Sequence, residues 1–283
     1  MSERLVTMEA EPVQSGFIEI DDLEYYYPGS EVPAVEGVNL TIEKGAFACV
    51  VGPSGCGKST LLTILSGLST PQTGSVSIDG KSIYEDGRRT QHEMPRCAYL
   101  FQDSRLLPWR TVRQNLDIAL RASDIPREQW DDTVTDLLRM LRIEAFADSW
   151  PLNLSGGQRH RVAIARALAI DPAFILMDEP FSTLDEVTAR FLRQELLEVW
   201  RRTGSTILFV THSIREAVYL ADTVALMTKG PGRVLGIRDI DVERPRKYED
   251  PKLAEIEGSI VDTVLDAWGY FDRDEVPPDM EEG

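Results

Sequence analysis

At 283 residues the chain can bury one large core, or two modest ones, without disulfide support, and one compact unit with a subdomain is expected. A hydrophobic share of 42% beside 27% charged residues excludes a wholly disordered or fibrous chain. Forty-seven acidic against 30 basic side chains leave a formal charge of −17, which opposes direct use of a basic surface on nucleic acid or anionic lipid.

Only six of the 30 basic residues are lysine. An acidic, lysine-poor surface suited to high salt explains this, and so does a GC-rich genome; both readings stay open. The longest apolar runs, such as Ala46 to Val51 and Ala173 to Met177, fall far short of the ~20 residues that a membrane-spanning helix needs. Met1 to Ser15 is acidic and polar, without the apolar centre of a signal peptide, so a cytoplasmic location is expected. Cys49, Cys56 and Cys97 form no CxxC pair and are odd in number, which fits free thiols.

Taken in chain order, Phe17 to Ile20 and Leu23 to Tyr27 read as short strands before the turn residues Pro28, Gly29 and Ser30. The alternating segment Val38 to Ile42 and the buried strand Ala46 to Val51 flank a turn at Lys44 and Gly45. That strand runs into GPSGCGKST, Gly52 to Thr60, and a helix over Leu61 to Leu68 that stops at Pro71. Gly74 to Ile83 reads as a hairpin around Asp79 and Gly80. Apolar residues at helical spacing from Arg127 to Arg142, behind Pro126, mark a helical insertion over about 103–153. LSGGQ then opens a long helix to Ala169, followed by the strand Ala173 to Met177, a helix over Leu184 to Thr203 and the strand Thr206 to Val210. This alternation is the pattern of an α/β fold with a parallel sheet. Asp272 to Gly283, mostly acids with two prolines, reads as a frayed tail.

Gly52 to Ser59 matches GxxxxGK[ST] between an apolar strand and a helix. Glycines there let successive N–H groups turn inward around phosphate oxygens, Lys58 neutralises β- and γ-phosphate charge, and Ser59 offers a hydroxyl to Mg²⁺. Cys56, inside this loop beside a helix N-terminus, is expected to be a reactive thiol. The strand ending at Met177 delivers Asp178 and Glu179, which strand alternation should turn to opposite sides. Asp178 suits the magnesium shell, and Glu179 suits a general base acting on water. In LSGGQ, Ser155 can cap the helix while Gly156 and Gly157 leave free N–H groups open to a phosphate. Alone this is an ordinary capped helix; beside the first glycine-rich loop it suggests a site shared between two chains.

In order and spacing, GPSGCGKST, Gln102 in LFQD, LSGGQRHRVAIARAL, ILMDEP, STLD (Ser182 to Asp185) and His212 in VTHS resemble the ATP-binding subunit of ABC transporters over about residues 17 to 245. The resemblance implies a P-loop NTPase (RecA-like) core with an N-terminal antiparallel β subdomain and an inserted α-helical subdomain. Its bounds would be 17–248, with 249–283 a C-terminal extension. It implies ATP and Mg²⁺ as ligands, and a head-to-tail dimer in which Ser155, Gly156, Gly157 and Gln158 of one chain close on ATP held by Gly52, Pro53, Ser54, Gly55, Cys56, Gly57, Lys58, Ser59 and Thr60 of the other. Gln102 would contact Mg²⁺ and the attacking water, alongside Ser59 and Asp178 at the metal. His212 would hold the γ-phosphate, Asp185 would link the two sites, and Tyr27 would stack on adenine, though Tyr25 and Tyr26 compete for that place. Thr183 stands where the family usually has Ala.

Phe101 to Asn115, FQDSRLLPWRTVRQN, is either helical-subdomain core or, as in ABC subunits, the groove that receives a membrane permease. LLPWRTV, KGPGRV (Lys229 to Val234) and ERPR (Glu243 to Arg246) resemble the nitrate, sulfonate and taurine importers. The expected role is therefore a peripheral ATPase on the cytoplasmic face of the membrane. It would power import of a small anion, served indirectly by a periplasmic or extracellular solute-binding protein. An exporter or lipid-extraction ATPase would share every catalytic motif. A soluble ABC ATPase of DNA repair or translation would show a coiled-coil insertion, a second cassette or a basic face.

Overall fold

The computed structural model describes residues 17–268, so the expectations for Met1 to Ser15 and for Asp272 to Gly283 lie outside the described residues. The chain forms β1 (Ile18–Tyr25), β2 (Val35–Ile42), β3 (Phe47–Val51) and α1 (Lys58–Leu65), then β4 (Thr73–Ile78), β5 (Lys81–Glu85), β6 (Arg88–Arg89) and β7 (Cys97–Leu100). Helices α2 (Val112–Leu120), α3 (Trp130–Met140) and α4 (Gly156–Leu168) follow. Next come β8 (Phe174–Asp178), α5 (Glu186–Thr203), β9 (Thr206–Thr211), α6 (Ile214–Leu220), β10 (Thr223–Met227), β11 (Val234–Asp239) and α7 (Pro251–Ala267). No described helix is long and apolar enough to cross a membrane.

Two sheets result. The antiparallel one runs β2-β1-β4-β5-β6 and the central one β11-β10-β3-β9-β8-β7. Five central strands are parallel, as the alternation predicts, while β11 pairs antiparallel with β10 and makes the sheet mixed. Every residue of β3 is buried, and the strand period sends its side chains to two different cores. Phe47, Cys49 and Val51 face the helices, whereas Ala48 and Val50 face the antiparallel sheet. In that second core α1 buries Leu61, Leu62, Ile64 and Leu65, so apolar contact surrounds the helix that carries the glycine-rich loop.

Several boundaries differ from the sequence expectation for local reasons. The two short strands expected over Phe17 to Tyr27 are one strand, bent where Asp22 adopts φ 47° and the register against β2 shifts. The hairpin turns at Asp79 (φ 51°) and Gly80 (φ 71°), the paired left-handed conformation of a tight two-residue turn. The first helix starts three residues earlier than its apolar spacing, at Lys58 itself. The helix expected from Arg127 begins as a 3₁₀ turn over Arg127–Gln129 and becomes α-helical at Trp130, where Val134, Leu137 and Leu138 face the core. Asp185 caps α5 by accepting the Thr188 N–H at 3.0 Å.

Periodicity did not reveal α6, α7 or the β10–β11 pair. ERPR explains how this part is held: Arg246 donates to the carbonyls of Val218 (3.0 Å), Tyr219 (3.2 Å) and Ala221 (2.6 Å), and Arg244 to that of Leu220 (2.5 Å). Two guanidiniums thus satisfy the open carbonyls at the end of α6. Helix α7 packs on α6, and its Leu253, Ile260 and Val264 join the main core.

One turn into α4, His160 is buried against the Phe181 ring with centroids 4.9 Å apart, and its Nε2 has no hydrogen-bond partner. Burial lowers its pKa from the ordinary 6.5 to about 4. A folded-state pKa below the unfolded one means that the neutral ring supports the fold above pH 6.5, and that this support is lost as pH falls toward 4. Between pH 7.5 and 5, chemical denaturation should therefore show the native chain losing about 2 kcal/mol more stability than His160→Leu. Equal losses in both proteins would contradict the buried neutral histidine.

Candidate functional site

Four parallel strands end at one rim of the central sheet. There β3 leads into the Gly52–Thr60 loop, β9 into His212, β8 into Asp178 and Glu179, and β7, two residues on, into Gln102. The carboxyl ends of parallel strands are where α/β sheets hold ligands. Register brings the strand ends to within one residue of the same height: Val51 pairs with Thr211 and Asp178 with Val210.

Within the loop, Gly55 and Gly57 take φ 79° and 97°, and a Cβ on Gly57 would lie 2.5 Å from the Ala34 carbonyl oxygen. Lys58 is 5% exposed; its Nζ donates to the Gly52 carbonyl at 2.8 Å and to that of Pro53 at 3.0 Å, and lies 3.3 Å from Glu179 Oε1. Ser59 Oγ donates to Asp178 Oδ1 at 3.0 Å, and Tyr99 OH to Asp178 Oδ2 at 3.1 Å. Burial first, then the Asp178 charge, raises the Tyr99 pKa and keeps its phenol a donor. Glu179 Oε2 meets His212 Nδ1 at 2.9 Å. The expected division of Asp178 and Glu179 by strand alternation does not hold. β8 ends at Asp178, and Glu179 turns left-handed at φ 44°, which brings both carboxylates onto the loop, one at Ser59 and one at Lys58.

Gln102 Nε2 donates to Ser182 Oγ at 3.1 Å, and Ser182 Oγ donates to the Glu179 carbonyl at 2.8 Å. Of the three tyrosines, Tyr25 is half-buried against the second core, and the backbone of Tyr26 is pinned by Gln72. Tyr27 is 52% exposed, with its hydroxyl 2.8 Å from Thr60 Oγ1. Gly52 is buried, while Ser54 and Gly55 are exposed on the loop. Tyr99 was not a sequence candidate: an aromatic on a short strand carries no motif, and only strand pairing sets it beside Asp178.

Cys56 departs from its expected reactivity. It is 1% exposed, and burial outweighs the nearby Lys58 charge to raise its pKa. Behind it stands KGPGRV, whose Gly232 bridges to Val35, accepts the Glu36 N–H at 2.9 Å and donates to the Ala34 carbonyl at 3.1 Å. A Cβ on Gly232 would lie 1.9 Å from the Cys56 carbonyl oxygen, so glycine there backs the loop.

Ser155, Gly156, Gly157 and Gln158 occupy a different depression, shared with Asp185 and Phe191. Ser155 accepts the Gln158 N–H, and the Gln158 side chain accepts the Ser155 N–H at 2.8 Å, a capping box. Val187, 81% exposed, and the exposed Phe191 leave an apolar margin there. Along Phe101 to Asn115, Leu106 packs on the core, but Trp109 is 67% exposed, so this segment is not wholly core. Buried Asn115 holds its shape by accepting the Leu107 N–H and donating to the Leu107, Arg110 and Thr111 carbonyls. Arg166 donates to the Ser104 and Arg105 carbonyls, and the Arg105 guanidinium lies 3.5 Å from the Phe101 ring centroid.

Among the described residues no cluster of His, Cys, Asp and Glu could cage a metal by itself. Ser59 and Asp178 do offer hard oxygen donors 3.0 Å apart beside the loop, the chemistry of a small cation that shares its shell with phosphate.

The family model described as ABC transporter matches residues 35–182. A nitrate import ATP-binding protein of Synechococcus elongatus is 38% identical over 93% of this chain and 97% of its own length. A bicarbonate transport ATP-binding protein of Synechocystis is 38% identical over 91% and 92%, and an aliphatic sulfonates import ATP-binding protein of Bacillus cereus 36% over 86% and 94%. A dimeric ATP-binding cassette in a post-hydrolysis state, bound to ADP and Pi, superposes with a TM-score of 0.67 at 31% identity, covering 80% of this chain and 100% of that one.

Maleimide labelling followed by peptide mass mapping should leave Cys49 and Cys56 of the native chain unmodified over a time that saturates the unfolded chain. Gly232→Ala, which must displace the Cys56 carbonyl, should speed labelling at Cys56 and leave Cys49 slow. Fast native labelling of Cys56 would show that the loop is not packed as described.

Proposed function

The chain belongs to the ABC transporter family, and from that premise we propose that two copies form a head-to-tail dimer on the cytoplasmic face of the membrane and drive import of a small oxyanion through a separate permease. The chain itself is an ATP-binding and ATP-hydrolysing subunit. The observation that carries the reading is the meeting of Lys58, Glu179 and His212 at one strand rim, with Ser59 and Asp178 beside them.

In this reading the N–H groups of Gly52 to Thr60 cradle the phosphates, and Lys58 exchanges its two carbonyl partners for β- and γ-phosphate oxygens. Ser59, Asp178 and the amide oxygen of Gln102 hold Mg²⁺, which supplies charge neutralisation to the phosphates when bound. Glu179 takes a proton from the attacking water, and His212 aligns that carboxylate and meets the γ-phosphate. Tyr27 lends an exposed ring to adenine. The second copy closes the site with Ser155, Gly156, Gly157 and Gln158, and Asp185 connects the two sites. The ATPase unit is 17–248 with the helical insertion at 103–153, and the extension that begins at 249 contributes α7 to the main core.

Nitrate, bicarbonate and sulfonate are what the similar proteins are named for, and all three are small oxyanions. The permease docks near 101–115, a segment that carries exposed Trp109 together with Arg105 and Arg110, and a solute-binding protein outside the membrane supplies the anion. An exporter would use the same ATPase residues. The discriminating experiment is ATPase activity in a reconstituted complex with binding protein loaded in turn with nitrate, bicarbonate, taurine or an alkanesulfonate. Stimulation by one of them supports import; none, with the complex assembled, removes it.

Lys58→Ala should abolish hydrolysis and weaken ATP binding. Glu179→Gln keeps size but removes the base, and should slow turnover on the order of a hundredfold and let the ATP-bound dimer accumulate on a sizing column. Adding Ser155→Arg should return that protein to a monomer that still binds ATP. A double mutant that still dimerises would overturn the head-to-tail site. Trp109→Asp should leave ATP binding intact and prevent co-purification with the permease.

A further inference from the structure

His212 stands exposed at the end of β9, and its imidazole bonds to Glu179. Its aim is set by its neighbours. Thr211, 2% exposed, donates its hydroxyl to Glu216 Oε2 and accepts the Ser213 N–H at 3.0 Å. Ser213 Oγ in turn accepts the Glu216 N–H at 3.2 Å. Thr211, Ser213 and Glu216 thus close a ring of hydrogen bonds across the turn that carries His212. Glu216 is itself buried, and its other carboxylate oxygen accepts Arg193 Nε of α5 at 2.8 Å.

Arg193 extends the ring to two more segments. Its Nη1 donates to Glu186 Oε1 at 3.1 Å, next to Asp185, and to Tyr248 OH at 3.1 Å. A buried carboxylate–guanidinium pair adds little stability over a well-packed apolar pair, because both charges lose their water. What it provides is direction: both Glu216 oxygens and the Nε and Nη1 of Arg193 are aimed at fixed partners. Here Thr211 immediately precedes His212 and Glu186 immediately follows Asp185, while Tyr248 anchors the pair from a third segment.

We propose that Thr211, Glu216 and Arg193 are positioning residues, a buried relay that sets the reach of His212 toward Glu179 and keeps the His212 turn in step with the Asp185 loop. This rests on the reading of His212 given above. Thr211 is the member through which the turn is read, because its hydroxyl joins the Glu216 carboxylate to the Ser213 N–H on the far side of His212.

The test is a double-mutant cycle on the full chain, reading steady-state ATPase rate and KM well below the melting temperature. Thr211→Val keeps the branched shape and removes the hydroxyl; it should lower kcat on the order of tenfold with KM for ATP nearly unchanged. Thr211→Ser should restore the rate. In a His212→Ala background, Thr211→Val should cost nothing further, since the residue it positions is gone. An equal loss in both backgrounds, no loss in the native one, or no rescue by serine would overturn the relay. His212→Ala turning over at the native rate would remove the reading of His212 and this inference with it. If Thr211→Val is too unstable to assay, Glu216→Gln, which loses one acceptor at nearly constant volume, enters the same cycle with the same expected pattern.

Discussion

A buried ammonium sets the terms for the rest of the molecule. Lys58 is almost wholly out of water, and a cation there must be matched by dipoles and opposite charge. The chain supplies two carbonyls of its own loop and the Glu179 carboxylate from another strand. That match requires β3 and β8 to end within a residue of one another, and the intervening β9 sets this through the pairs Val51 with Thr211 and Asp178 with Val210. A slip of one residue would turn the buried set of either strand to the wrong face and part the charges.

Two cores hold that register from both sides. β3 alternates between them, α1 is immersed in one, and α7 completes the other. The loop is thereby confined at points where no side chain fits: Gly57 meets the Ala34 carbonyl, and Gly232 meets that of Cys56. The same crowding explains why Cys56, though placed by sequence at a helix N-terminus, is a buried thiol whose pKa is raised. Burial acts on the thiolate more strongly than the adjacent lysine does.

Carboxylates at the strand rim divide their partners by backbone conformation. Asp178, the last residue in strand geometry, takes two hydroxyls, and Glu179, thrown into the left-handed region, takes a lysine and a histidine. Polar bonds behind the rim keep each partner aimed: Ser182 between Gln102 and the Glu179 carbonyl, and Thr211 between Glu216 and the Ser213 N–H.

Much of the site was legible before any fold. GxxxxGK[ST] behind an apolar strand, the DEP strand end and the capping signature of LSGGQ are local patterns, and local patterns dictate loop and helix starts through backbone conformation alone. The parallel sheet followed from alternation, because β8 and β9 are continuous apolar runs of strand length. Sequence could not show that Glu179 leaves the strand, that Tyr99 reaches Asp178, that Cys56 is sealed by Gly232, or that ERPR caps α6. The last three depend on segments 24 to 176 residues apart being brought together, and hydrophobic periodicity carries no record of which distant backbone a side chain will meet. Tertiary packing alone settled them, by deciding which groups lost their water and so had to find a partner.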